Sequence, residues 1–539
     1  MKNKKHYYII FLFLIASIFT TTTSCKENKK ESNLELVVLQ EKQTEEALYR
    51  PNFHFTPKAN WMNDPNGMFY LNGKYHMYFQ YYPDGNVWGP MHWGHAISKD
   101  MITWEEQQIA LYPDDLGYIF SGSAIVDKNN TSGFGKEGVS PIVAIFTYHD
   151  AKSEKAGNIN YQSQAIAYSL DEGLTWTKHE NNPVISNPDI KDFRDPKVVW
   201  DDSNKKWVMA LAAGNKIMFY SSLNLKEWKL KSDFGENIGA HGGVWECPDL
   251  FPIKVNNGEE TKWVLIVSIN PGGPNGGSAT QYFVGDFNGN TFKLDEDFSN
   301  QLKKENAIWL DYGRDNYAGV TWSNIPESDG RKLFIGWMSN WEYGQEVPTF
   351  KWRSSMTVAR ELKLKKTGNS FCLQNSPVNE LYSYATKSIS KDSIKSNKIE
   401  DLLSESDIDF AKLNLQFELK DLKSEVYNLL FYNKEGDTLS LGLDNIKNEF
   451  FINRKKAGKV DFSEKFAYNI SKAKVPETFE ELNVQILLDK TSVEVFYNNG
   501  EIVMTELFFP KSPLELFSIS SKDETFKIEN LKIQEFKFN

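Results

Sequence analysis

The 539-residue sequence predicts an all-β protein of two unlike domains, and three observations carry that prediction. The first two thirds read as short strands joined by tight turns, with no convincing amphipathic helix. A strand, a polar turn and a Trp recur there, and the last two Trp of the series, Trp176 and Trp228, stand about 50 residues apart, a spacing typical of four-stranded propeller blades. The composition then steps: every Trp lies between Trp61 and Trp352 and all eight His precede residue 242, whereas the last third is rich in Lys, Leu, Ile, Phe and Ser and poor in Gly.

Taken in order, the chain opens on an address. Lys2, Lys4 and Lys5 precede an apolar run from Tyr7 to Ile18, and Thr22-Thr23-Ser24 lead to Cys25. A basic start, a short apolar core and small residues read as a secretory signal over residues 1–24. A Cys directly after them resembles the bacterial lipoprotein signal, in which that Cys carries the lipid; Thr22 stands where Leu is usual. The expectation is lipidation at Cys25 and an exported, membrane-anchored protein on the periplasmic or cell-surface face, the alternative being a plain signal peptide. Residues 25–48 are polar and charge-mixed, as a tether is.

The first domain, residues 49–365, begins with a hairpin: Gly67 to Tyr70, the turn Asn72-Gly73, then Tyr75 to Tyr82. Its repeat runs Ala96 to Trp104, Ala167 to Trp176 and Phe219 to Trp228; the wider first gap calls for an insertion or an extra strand pair. Lys363 to Ser370, polar and basic with one Gly, reads as the joint. The second domain, residues 371–539, holds strands such as Val426–Tyr432, Leu482–Leu488 and Ser492–Tyr497, with Asn499-Gly500 turning into Glu501–Phe508, which suits an antiparallel sandwich.

Composition excludes several functions. A net charge of −11 opposes nucleic-acid binding and acidic polymers, because phosphate affinity needs clustered Lys and Arg. Three Cys do not make a disulfide scaffold; Cys247 and Cys372 are expected reduced or buried, with pairing left open.

Three hairpins start alike. Asp64-Pro65, Asp195-Pro196 and Glu246-Cys247-Pro248 each put an acid before a strand–turn–strand unit, 131 and 51 residues apart. If the units are blades, the acids stand at one level near the axis and converge. A single Asp-Pro marks only a turn. Three equivalent ones suit a metal site, since hard cations take oxygen ligands, or glycoside hydrolysis, in which one carboxylate attacks and one acid protonates the leaving oxygen. The surroundings favour sugar: Trp61, Trp88, Trp93, Trp245 and Trp341 offer rings to sugar faces, and Asn63, Gln80, Ser121 and Arg194 offer hydroxyl-binding groups. His92 and His95 flank Trp93 without an obvious third ligand, so a structural role is expected rather than zinc. Neither a metal nor a cofactor is expected.

At these residues the sequence resembles glycoside hydrolase family 32, the invertases, inulinases and levanases. The carriers are Trp61 to Gly67 (WMNDPNG), Trp88-Gly89 before Met91 to His95, Phe120 to Ser123 (FSGS), Phe193 to Pro196 (FRDP), Trp245 to Asp249 (WECPD), Ser268 to Gly285, Trp337 to Trp341 (WMSNW) and Ser492 to Gly500 (SVEVFYNNG). The resemblance runs from Tyr49 to the C-terminus. Pro90 and Asn316 depart from the usual residues. It implies a five-bladed β-propeller followed by a β-sandwich, with Asp64 as nucleophile, Glu246 as acid/base and Asp195 as transition-state stabiliser. The substrate-binding set is then Asn63, Gln80, Trp88, Phe120, Ser121, Arg194, Tyr312 and Trp341. The implied activity is retaining, exo-type release of fructose from a β-fructan (levan or inulin), with sucrose as a further candidate. Endo attack, transfer to a sugar acceptor, an arabinan-acting relative and a non-catalytic sugar-binding lipoprotein are the rivals; the presence of all three acids speaks against the last.

Overall fold

The structure is a computed structural model that describes residues 45–136, 138–400, 407–475 and 481–538. The signal segment, Cys25 and the tether up to residue 44 lie outside these residues. Residues 45–49 form a short helical turn, with Arg50 paired to Glu46 at 2.9 Å, where the sequence alone suggested only tether.

From Pro51 the chain builds five antiparallel blades and then a sandwich of two six-stranded sheets. The inner strands of blades 1 to 5 are Asn60–Leu71, Tyr118–Val126, Phe193–Asp201, Val244–Lys254 and Tyr317–Thr321. Blades 2 to 4 then add three strands each in chain order, working outward. Blade 5 is Tyr317–Thr321, Lys332–Met338, Arg360–Thr367 and Ser370–Pro377. The ring is tied where Trp352–Arg353 pairs in parallel with the inner strand of blade 1 while Ser355–Met356 pairs with blade 5.

The Trp repeat has a structural cause. Ser98, Ser169 and Ser222 each accept backbone N–H groups in the turn after a blade's third strand, Asp100, Asp171 or Asn224 caps the same turn, and the Trp indole donates to a carbonyl three residues back. Blade 2 still has four strands. The wide gap between Trp104 and Trp176 is filled by longer connections, including the short helix Ala151–Lys155, and not by an extra strand pair.

Two expectations need correction. Lys363–Ser370 is not a linker: it is the hairpin between the last two strands of blade 5, with Leu362 and Leu364 buried between outward Lys side chains. The propeller therefore runs to Pro377, and Asn379–Tyr384 makes the crossing. An amphipathic helix also exists, Glu296–Glu305, capped by Asp295 and buried through Phe298 and Leu302 alone. Two buried apolar residues in ten leave little periodicity to read.

The sandwich core alternates as strands must: Leu413, Leu415, Phe417 and Leu419 point inward against Leu429, Phe431, Leu441 and Phe517. The opposite face of the same sheet sends Leu487, Phe496 and Val503 into the core of blades 1 and 5. Buried ion pairs thread this contact. His54 lies 2.8 Å from both Asp489 and Glu494, Arg360 joins Glu494 to Asp311, and Arg454 bonds Asp315 at 2.6 Å.

Deep in the propeller, Lys197 Nζ meets Asp249 Oδ2 at 3.1 Å and the Thr321 carbonyl at 2.7 Å, linking blades 3, 4 and 5. Ser123 Oγ donates to the Pro196 carbonyl and ties blade 2 to blade 3. All these side chains are buried, so polar contacts join the inner strands of blades 2 to 5.

Candidate active site

Every inner strand is interrupted at one level. Its register against the next strand slips between Met62 and Pro65, Ile119 and Gly122, Arg194 and Lys197, Glu246 and Asp249, and Tyr317 and Val320. Three of these bulges hold a Pro, which has no N–H to give a ladder. Asp195 and Cys247 take positive φ of 65° and 45°, unusual for residues with a Cβ and a mark of functional backbone. The bulges turn Asn63, Asp64, Ser121, Arg194, Asp195 and Glu246 toward a common pocket of about 280 Å³. Two residues beyond Ser121 and Asp195, Ser123 and Lys197 of the same strands face inward again and bond the neighbouring blades.

Within the pocket the three acids are joined by short contacts. Asp64 accepts from Ser121 Oγ at 2.6 Å and from Asn63 Nδ2 at 3.0 Å, and Asn63 is itself fixed by the Trp61 indole at 2.7 Å. Asp195 Oδ2 accepts the Cys247 N–H at 3.0 Å, and the Cys247 thiol lies 3.4 Å from Asp64 and 3.6 Å from Asp195. Glu246 is gripped from both sides: Arg194 donates to Oε1 from Nη2 at 2.9 Å and from Nε at 3.2 Å, and the Tyr317 hydroxyl donates to Oε2. The far end of Arg194 rests on Asp192 at 2.7 Å.

The electrostatics follow from burial. Burial lifts the Asp64 carboxyl above its ordinary range, the Glu246 charge adds to this, and the hydrogen bonds from Ser121, Asn63 and Cys247 oppose it. Asp195 is raised to about 7: burial dominates, Arg194 pulls down, and the charges of Glu246 and Asp64 push up. Burial and the same carboxylates drive the Cys247 thiol far up, so it remains a neutral donor. A pocket that crowds negative charge in this way favours a ligand that becomes positive.

Of the residues singled out by sequence, Asn63, Asp64, Gln80, Trp88, Phe120, Ser121, Arg194, Asp195, Glu246 and Trp341 all line this pocket. Gln80 is set by its amide donating to Asn66 and to the Ile119 carbonyl. Trp341 leans on Trp61 and Trp337, with ring centroids 5.7 and 5.0 Å away. Tyr312 does not belong. Its N–H donates to the Val503 carbonyl and its ring packs against the sandwich core, because Asp311 and Asp315 anchor the run 311–316 to Thr505 and Leu507. Asn316 is tied to Asp311 in that run. His92 bonds the Pro90 carbonyl and His95 pairs with His76, so the two imidazoles serve different neighbours. Cys247 and Cys372 are both free thiols.

Sequence reasoning missed part of the wall: His149, Glu154, Tyr161, Gln162, Asp192 and Gln345. Asp192 could have been suspected two residues before Arg194. Glu154 carries no motif and arrives only because a short helix follows the strand Ile142–His149.

Comparison with known proteins agrees with this geometry. Residues 54–375 match the family described as glycosyl hydrolases family 32 N-terminal domain, and residues 380–535 match glycosyl hydrolases family 32 C terminal. A levanase of Bacillus subtilis is 45% identical over 493 residues, covering 91% of this chain and 70% of the relative. An extracellular exo-inulinase of Aspergillus awamori is 41% identical over 495 residues, covering 86% of this chain and 90% of its own. Among solved structures, exo-inulinase from Aspergillus awamori superposes with a TM-score of 0.80 at 37% identity, over 91% of this chain and 98% of that one. A fructofuranosidase from Schwanniomyces occidentalis complexed with fructosylnystose gives 0.82 at 33%, over 92% and 98%. Five blades, acids on bulged inner strands and a match spanning both domains lead to one conclusion: the chain belongs to glycosyl hydrolase family 32.

Proposed function

We propose that the protein is a retaining exo-β-fructosidase that releases fructose from a fructan, levan or inulin, and from sucrose. The observation that carries this reading is the trio of Asp64, Asp195 and Glu246, held by bulges in one pocket and linked through Ser121, Cys247 and Arg194. Asp64 attacks the anomeric carbon; Ser121 and Asn63 donate to it and favour the ionised carboxylate it needs. Glu246 gives its proton to the leaving oxygen and later takes one from water, which resolves the covalent fructosyl-enzyme. Asp195, fixed by the Cys247 N–H, faces the positive charge that grows at the anomeric centre and ring oxygen.

The relatives' names, levanase and exo-inulinase, support the substrate class. Relatives named exo-inulinase support exo attack. Export and a lipid on Cys25 complete the reading, the first in keeping with relatives named extracellular. Incubation with levan, inulin and sucrose, following products by chromatography and anomeric configuration by NMR, tests it. Free β-fructofuranose as the first product is expected. Early oligosaccharides with little fructose would overturn exo attack, and an inverted first product would overturn the covalent route.

A further inference from the structure

One wall of the pocket has no place in the chemistry above. His149, at the end of a blade 2 strand, lies flat against Phe120, with ring centroids 4.2 Å apart and planes 4° from parallel. Gln162 Nε2 approaches His149 Nδ1 at 3.3 Å, while Gln162 Oε1 accepts the Phe193 N–H at 2.8 Å, so the amide is fixed at both ends. An amide N–H directed at Nδ1 makes that nitrogen the acceptor and places the ring proton on Nε2. Nε2 is buried and lies 3.1 Å from Glu154 Oε2, within reach although too bent for a well-aligned hydrogen bond. Glu154 stands on the helix Ala151–Lys155, whose first turn Asp150 caps through Lys152 and Ser153. Its side chain is about half exposed at the mouth, and its other oxygen has no partner among the described residues.

We propose that Glu154, positioned by His149, is a specificity-determining residue that binds hydroxyls of the sugar leaving group. This rests on the β-fructosidase reading. With a fructosyl ring seated on Asp64, what projects past Glu246 is the remainder of the substrate. The lining left for it combines the rings of Trp88, Trp341 and Tyr161 with the carboxylate of Glu154. A carboxylate with one oxygen beside His149 and the other open to the pocket accepts sugar hydroxyls strongly, and the rings of the same lining offer a face to the apolar side of the sugar. An aglycone without hydroxyls offers Glu154 nothing.

The test compares a fructo-oligosaccharide with p-nitrophenyl β-fructofuranoside, using the full enzyme. For Glu154→Ala the ratio of kcat/KM values, oligosaccharide over aryl fructoside, is expected to fall roughly ten- to a hundredfold, as when a hydrogen bond to a charged group is removed. The loss should sit mainly in KM for the oligosaccharide. Glu154→Gln keeps an acceptor and should recover part of it. His149→Phe keeps the stack on Phe120 but releases Glu154, and should move the ratio the same way by less. A ratio within twofold of the unaltered enzyme for Glu154→Ala would overturn the inference while leaving fructoside hydrolysis standing. No turnover of either substrate by the unaltered enzyme would overturn both.

Discussion

His54 gives the most demanding test of how the two domains are held together. Both ring nitrogens face carboxylates at 2.8 Å, Asp489 on one side and Glu494 on the other, and all three side chains are buried. A neutral imidazole has one N–H and could serve only one of them. Burial alone would lower its pKa, but the two acids outweigh burial and raise it from 6.5 to about 9. The folded state therefore holds this proton more tightly than the unfolded chain does. The stabilisation is complete below pH 6.5, and it is lost as pH rises through 9. A shift of that size is worth about 3 kcal/mol at 1.36 kcal/mol per unit. His54→Gln removes the charge and leaves the acids short of a cation, although Arg360 still serves Glu494 and the Asn52 and Phe53 N–H groups still serve Asp489. The cost at pH 6 should be about 3–5 kcal/mol. The assay is urea denaturation of both proteins between pH 6 and 10. The stability gap should be widest at pH 6 and narrow by about 3 kcal/mol by pH 10. A gap independent of pH would show that His54 is not charged in the fold.

Other expectations concern the site and the address. Asp64→Asn should be inactive on sucrose and on an activated aryl fructoside alike, whereas Glu246→Gln should lose roughly 10²–10⁴ on sucrose, still form the intermediate from the aryl substrate, and be rescued by azide; steady-state kinetics on both substrates decide. Asp195→Asn should abolish turnover yet raise the melting temperature near pH 8: a carboxyl lifted from 3.8 to about 7 folds more readily protonated, so ionisation above pH 7 costs the native enzyme up to about 4 kcal/mol that the amide does not incur. A melting temperature lower than that of the native enzyme at pH 8 would contradict that origin of the shift. Cys25→Ala should move active enzyme from the membrane to the soluble fraction, and native enzyme found free without an acyl group would refute the anchor.

The acids were legible because their local chemistry is repeated. Pro after each acid breaks the ladder, and a break at the same place in several hairpins implies a common level. Tyr312 was misplaced because what fixes it, Val503 and Thr505, lies some 190 residues away in another domain, beyond the reach of a local motif. Lys363 to Ser370 resembled a linker because an outer blade strand buries one face only, and its alternate Lys residues mask the buried Leu362 and Leu364. Glu154 was invisible for the opposite reason: an acid among lysines on a five-residue helix is ordinary surface until the fold sets it beside His149.

The buried polar contacts of Lys197, Asp249, Thr321 and Ser123 bear on traffic as well as stability. With those side chains packed beyond the acids, the mouth of the pocket is the expected way in and out. On the exo reading proposed above, a fructose freed at Asp64 would sit behind the shortened polymer and leave by the door through which it came, after the polymer lets go. An enzyme working in that way is expected not to thread a chain and cut it repeatedly in one encounter. The expectation is that each cut ends in complete release, successive cuts fall on different molecules, and a whole population of chains shortens together. Accumulating monosaccharide competes for that same door, and so slows the next encounter rather than the bond cleavage itself.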